Sequence, residues 1–262
     1  MSKKRWIIFL ICIFAVAAAV CYIVYYYAVK NHNENVYEQI QSVVSTPAEE
    51  PEEESEEPIE EPVEEEEPTV DIPIDFEALW DINPDVYAWI EIPGTEIAYP
   101  ILQHPTDDSY YLNHTIEGVE GYPGSLYTES CDAKDFSDFN TVIYGHNMKD
   151  RSMFGSLKDY RDADFLAEHR EIIIYTPTEK RVYQIFAAVV YDDRYIPAVY
   201  DDDNPEDRQA FLDSLSETRD LNSQVLDDVD VNTDSQILTL STCIGGQPNN
   251  RYLIEAVYVG EE

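Results

Sequence analysis

Residues 6–29 read WIIFLICIFAVAAAVCYIVYYYAV, 24 residues without a single charge. No globular domain of this size buries such a run all round, whereas a bilayer does. At about 1.5 Å per residue it makes a helix of about 36 Å, against a hydrocarbon core of about 30 Å. Lys3, Lys4 and Arg5 precede it. Positive charge stays on the cytoplasmic side, so residues 1–5 are expected to form a cytoplasmic tail and everything after the span to lie outside the cell. Tyr25, Tyr26 and Tyr27 suit the outer headgroup belt. The run exceeds the roughly 7–15 apolar residues of a cleaved signal peptide, so it reads as a retained single-pass anchor.

The stretch after the anchor, residues 30–70, reads as an acidic disordered linker. Residues 49–67 hold 13 Glu in 19 positions, interrupted by Pro51, Pro58 and Pro62. Such a tract repels itself and has too little apolar surface to bury. Residues 71–262 are rich in Tyr, Ile, Val, Phe and Leu and are expected to form one folded domain. The formal net charge of the chain is −38, of which −11 falls on residues 1–70 and −27 on residues 71–262. Both portions are acidic, which excludes nucleic acid as an expected partner.

Within the domain, apolar alternation predicts strands over 86–92 and 97–102 with a Pro93-Gly94 turn between them, and a short strand over 141–144. Residues 171–175 and 181–191 read as a hairpin, and 236–242 and 252–259 as the last two strands. Helices are predicted over 76–80 with Asp75 as cap, over 152–160, over 163–169, and from Pro205 with Asn204 as cap. Many short strands with a few interposed helices suggest a mainly β, closed or nearly closed barrel.

Two segments carry candidate chemistry. In TVIYGHNM an apolar strand ends at His146, and in LTLSTC another ends at Cys243, with Arg251 eight positions further on. A thiolate attacks a carbonyl far better than a thiol, an imidazole can take and return the proton, and a guanidinium offers permanent charge to an oxyanion. Read singly, each residue has an ordinary structural alternative: a core cysteine, a hydrogen-bonded histidine, a surface arginine. Cys131, also outside the anchor, is either inert or a bridge partner for Cys243. Papain-like and amidase folds place Cys before His. Here His146 precedes Cys243 by 97 residues. A non-enzymatic surface scaffold is the remaining alternative.

At Tyr144-Gly-His146-Asn-Met, at Thr239-Leu-Ser-Thr-Cys243 with Arg251, and at WIEIPGTEIAYPI (residues 89–101), the chain resembles the sortases, specifically the class B group. The resemblance implies an eight-stranded β-barrel with a few peripheral helices, and a cysteine transpeptidase at a Gram-positive type cell envelope. Cys243 would be the nucleophile, His146 the acid/base and Arg251 the oxyanion partner. Tyr144, Asn147, Ser241 and Thr242 are expected to line the substrate site. The implied partners are secreted proteins bearing a C-terminal LPxTG-like sorting signal, cleaved between Thr and Gly, and an amine from a peptidoglycan precursor or a pilin lysine. No metal or cofactor is expected. The seven residues between Cys243 and Arg251, IGGQPNN, read as a short glycine-bearing loop.

Overall fold

A computed structural model describes residues 3–44 and 72–261 in two compact units. The first is a single helix, α1 (Lys3–Val44), whose apolar part is long enough to cross a membrane. It does not stop at residue 29. The expectation of an extended linker from residue 30 is corrected over 30–44, which are helical. Lys30 and Glu34 pair at 3.2 Å one turn apart, and Val36, Tyr37, Ile40, Val43 and Val44 recur at helical spacing. The Glu-rich tract at 49–67 lies outside the described residues.

The second unit is the barrel. Its strands are β1 (Val86–Glu91), β2 (Ala98–Leu102), β3 (Leu126–Tyr127), β4 (Asn140–Tyr144), β5 (Glu171–Tyr175), β6 (Lys180–Asp192), β7 (Gln224–Val225), β8 (Ile237–Ile244) and β9 (Gln247–Glu261). Pairing runs β5-β1-β2-β3-β4-β8-β9-β6, and β6 returns to β5, so eight strands close the ring and β7 adds outside it on β6. Closure leaves the eight ring strands without open edges. The pairs β2–β3 and β4–β8 are parallel and the rest antiparallel.

β4, β8 and β9 are buried on both faces. Ile143, Leu238, Leu240, Ile254 and Ala256 share one face and are all fully buried. Val142, Ile237, Leu253 and Val257 share the other, where they cluster with Phe211 and Leu215 of α5 (Pro205–Ser216). Strands covered on both sides carry adjacent apolar residues, as Val142-Ile143, Ile237-Leu238 and Leu253-Ile254 do here. α5 starts as expected: the Asn204 side chain accepts from the Glu206 amide at 3.0 Å, with Pro205 following. Asp75 likewise caps α2 (Phe76–Ile82), accepting from Ala78 at 2.9 Å.

Two local expectations are corrected. Residues 152–160 form no α-helix; only a 3-10 turn at Leu157–Arg161 appears, followed by α3 (Ala163–Glu168). Arg151 and Met153 sit at φ of 77° and 51°, and Gly155 is so close to the Met148 carbonyl that an added Cβ would lie 2.3 Å from it. That backbone cannot continue as a helix. Residues 244–250 are not a free loop either. β8 and β9 form a hairpin with Ile244 opposite Gln247, turning through Gly246 at φ +78°, and Pro248–Asn250 fit in as a bulge. The two-residue strands β3 and β7 and the four-residue α4 (Ile196–Val199) escaped sequence reading because nothing so short has a period.

Candidate active site

The parallel β4–β8 register ends with Tyr144 opposite Ser241, and the Gly145 amide adds one more bond, to the Ser241 carbonyl at 3.1 Å. Two residues beyond that pair, His146 and Cys243 stand at the same level. On the other side of β8, Cys243 is directly opposite Arg251 of β9. Neighbouring strands are about 4.8 Å apart and opposed residues share a face. Thiol and guanidinium therefore leave one face side by side from β8 and β9, and the imidazole belongs to the residue two positions past the end of β4. The remaining residues of β8 are buried; Cys243 alone is exposed. Gly145 is required before His146, because a Cβ there would meet the Leu126 and Phe154 side chains at 2.4 and 2.6 Å.

His146 is held from the far side. Its Nε2 lies 2.6 Å from the Leu112 carbonyl oxygen. A carbonyl only accepts, so Nε2 carries the proton and, in the neutral ring, Nδ1 keeps the lone pair that can act as base. The Tyr122 ring packs 5.2 Å from the imidazole at 50°. Arg251 donates from Nη1 to the Pro248 and Asn250 carbonyls at 3.0 and 3.1 Å, inside the bulge. Among the described residues no carboxylate pairs with it, although the domain carries 39 Asp and Glu. Its permanent positive charge is thus left without a carboxylate partner in an acidic domain. No hydrogen bond joins the three side chains among the described residues; the sulfur stands open between its neighbours.

The four expected lining residues divide. Tyr144 is half-buried and stacks on Tyr127, centroids 5.4 Å apart. Ser241 is buried. Thr242 Oγ1 donates to the Gly145 carbonyl at 2.7 Å, and Asn147 Nδ2 donates to the Cys243 carbonyl at 2.8 Å. Burial, then the Glu129 carboxylate, then the charge of a Cys243 thiolate all hold the Tyr127 hydroxyl above its ordinary pKa. Leu112, Tyr122 and Tyr127 escaped sequence reading. A main-chain carbonyl 34 residues from the histidine leaves no residue-type signal.

Cys131 is a second free thiol, and Cys243 is not bridged to it. Burial first, then the Asp132 and Glu129 carboxylates, push the Cys131 thiol up to about 11. It stays protonated and is a poor nucleophile at neutral pH. No cluster of His, Cys, Asp and Glu suited to a metal ion occurs among the described residues.

A model of the sortase domain matches residues 90–259. Sortase B of Listeria monocytogenes is 37% identical over 167 residues, covering 63% of this chain and 65% of that protein, so the match spans slightly under two thirds of the relative's length. The crystal structure of sortase B from Bacillus anthracis superposes with a TM-score of 0.69 at 28% identity, over 88% of this chain and 97% of that one. A Streptococcus pyogenes class B sortase involved in pilus biogenesis gives 0.60 at 28% identity, over 71% and 98%. The matched stretch runs from within β1 to near the end of β9 and includes both strand ends and the arginine opposite the thiol, and the chain belongs to the sortase family.

Proposed function

We propose that this chain is a membrane-anchored cysteine transpeptidase. The observation that carries the reading is the row of His146, Cys243 and Arg251 across β4, β8 and β9, with Cys243 the exposed residue of its strand. The Cys243 proton passes to His146 Nδ1 as sulfur attacks the carbonyl carbon of the Thr–Gly bond in an LPxTG-like sorting signal. The guanidinium of Arg251 faces the oxyanion. His146 then protonates the leaving glycine amine, and a thioester to Cys243 remains. An accepting amine attacks the thioester and loses a proton to His146; the sulfur is expelled as the new amide forms and takes that proton back, which restores the starting thiol and neutral imidazole. The amine comes from a peptidoglycan precursor or from a pilin lysine. The similarity to a class B sortase involved in pilus biogenesis supports considering the second source beside the first. Tyr144 and Ser241 lie on the same face immediately below the row; of the two, half-buried Tyr144 is the one in position to meet the peptide. In the cell, α1 spans the membrane with the basic N-terminus inside and the barrel outside.

The test is a product assay by mass. The full-length chain in detergent micelles is incubated with a library of sorting pentapeptides and candidate amines. A thioester adduct on Cys243 and an amide product are expected. If peptide is hydrolysed with every amine ignored, the transferase reading gives way to a peptidase.

A further inference from the structure

The assignment of Cys243 as nucleophile leaves open what holds its strand end at the right distance from His146. A parallel ladder has a fixed bond sequence. After the Gly145 amide bonds the Ser241 carbonyl, the next two rungs would be Cys243 amide to Gly145 carbonyl, then Asn147 amide to Cys243 carbonyl. Neither is made. Both carbonyls are reached by side chains instead: Gly145 by the Thr242 hydroxyl at 2.7 Å, Cys243 by the Asn147 amide group at 2.8 Å. The two strands thus stay tied at the level of the thiol and the imidazole, through longer links than main-chain rungs. Asn147 is itself anchored. It forms an isolated bridge with Met153, the Phe154 amide returns to the His146 carbonyl at 3.0 Å, and the Met153 amide is bonded to Tyr99 Oη at 3.2 Å.

We propose that Asn147 is a positioning residue for acyl transfer: its side-chain rung to the Cys243 carbonyl sets the gap between nucleophile and acid/base. The inference rests on the transpeptidase reading and replaces, for Asn147, a direct contact with the peptide. Its side chain bonds the main-chain carbonyl of Cys243 rather than the sulfur. Its amide supplies the donor that the main chain no longer offers, and reacting groups misplaced by about 1 Å can lose about 100-fold in rate.

The test compares Asn147→Ala and Asn147→Asp with the wild-type full-length chain in micelles. The probe is the fluorogenic LPxTG-type pentapeptide that the wild type turns over fastest. The aspartate is isosteric but presents oxygen to a carbonyl, so it keeps the packing and removes the donor. A fold lost in the alanine variant leaves the comparison standing on aspartate. Expected is a fall in kcat of about 100-fold in both, with KM within about threefold. Labelling of the exposed Cys243 by a methanethiosulfonate should stay within about threefold of wild type, since thiol access is unchanged. Wild-type kcat in both variants, or a raised KM with kcat kept, overturns the inference; the second result would return Asn147 to the peptide site. Full turnover by Cys243→Ala would instead remove the nucleophile assignment beneath it.

Discussion

β4, β8 and β9 present two environments on one face, four residues apart. At the upper end stand His146, Cys243 and Arg251, open to solvent at the sulfur. Lower down the register places Val142, Thr239 and Glu255 in a row, with Asn140 two residues below Val142, all buried. There the Thr239 hydroxyl lies 2.7 Å from Glu255 Oε2 and 2.8 Å from Asn140 Oδ1, and Glu255 Oε1 has no partner. One hydroxyl has one proton to give, so a protonated Glu255 completes the set. Burial pushes its carboxyl up to about 8, and the Thr239 hydroxyl only partly offsets that. Reactive and structural polar groups thus share strands, face and spacing. The difference is cover: α5 packs over the apolar residues around the lower rows, whereas the sulfur at the top has none. A polar residue left open at a strand end stays within reach of solvent, whereas one roofed in mid-strand becomes a proton-holding core group.

That comparison can be broken most sharply at the thiols. Cys243→Ala should lower turnover of the fluorogenic peptide by about 10⁴-fold or more, whereas Cys131→Ala, outside the row, should stay near wild type. Equal losses would mean that the row is not what selects the nucleophile. Next comes the roof. Phe211→Ala empties a fully buried site between α5 and the sheet, and thermal unfolding should report a loss of about 3–5 kcal/mol. Reagent labelling of Cys243 below the unfolding transition should not change. If it rises with the loss of Phe211, the upper end depends on the roof after all.

At the open end, Arg251→Lys keeps the charge but not the planar fork, and should cost about 10²-fold in kcat. A neutral outcome would show that only charge counts there. The smallest effect lies in the buried row. A carboxyl held above its ordinary value favours the folded state fully below the unfolded pKa, and that contribution is lost as pH rises toward about 8. Asp132, buried and pushed up to about 7, acts in the same direction. Glu255→Gln should therefore flatten, without abolishing, the fall in melting temperature between pH 5 and pH 8. An unchanged slope would show that Glu255 is already ionised in the fold.

Local signals carried far in this chain. β1, β2, β4, β5, β6 and α5 were legible because each is long enough to show a period or carries a cap such as Asn204-Pro205. The helical continuation through residues 30–44 could have been found in the spacing of Val36, Tyr37, Ile40 and Val44, but the acidic tract beyond it dominated the composition. Residues 152–160 misled because Phe154 and Leu157 have helical spacing, while the close contact at Gly155 and the left-handed Arg151 and Met153 are consequences of packing. At the site, residue types pointed to Cys243, His146 and Arg251, but Leu112 contributes only a main-chain oxygen and so had no signature.

An uncharged membrane-length helix, a strand-rich domain and three residue types suited to acyl transfer can all be read along the chain. Periodicity, charge and side-chain chemistry are properties of neighbours in the chain. Folding adds that Cys243 lies opposite Arg251, that the Leu112 carbonyl fixes the proton on His146 Nε2, and that side chains of Thr242 and Asn147 replace two missing rungs. The links from Thr242 and Asn147 join segments about 100 residues apart and the Leu112 contact joins residues 34 apart, beyond the reach of any local pattern. Register is set by burying both faces of β8 at once, and a slip of one residue would turn the thiol into the core.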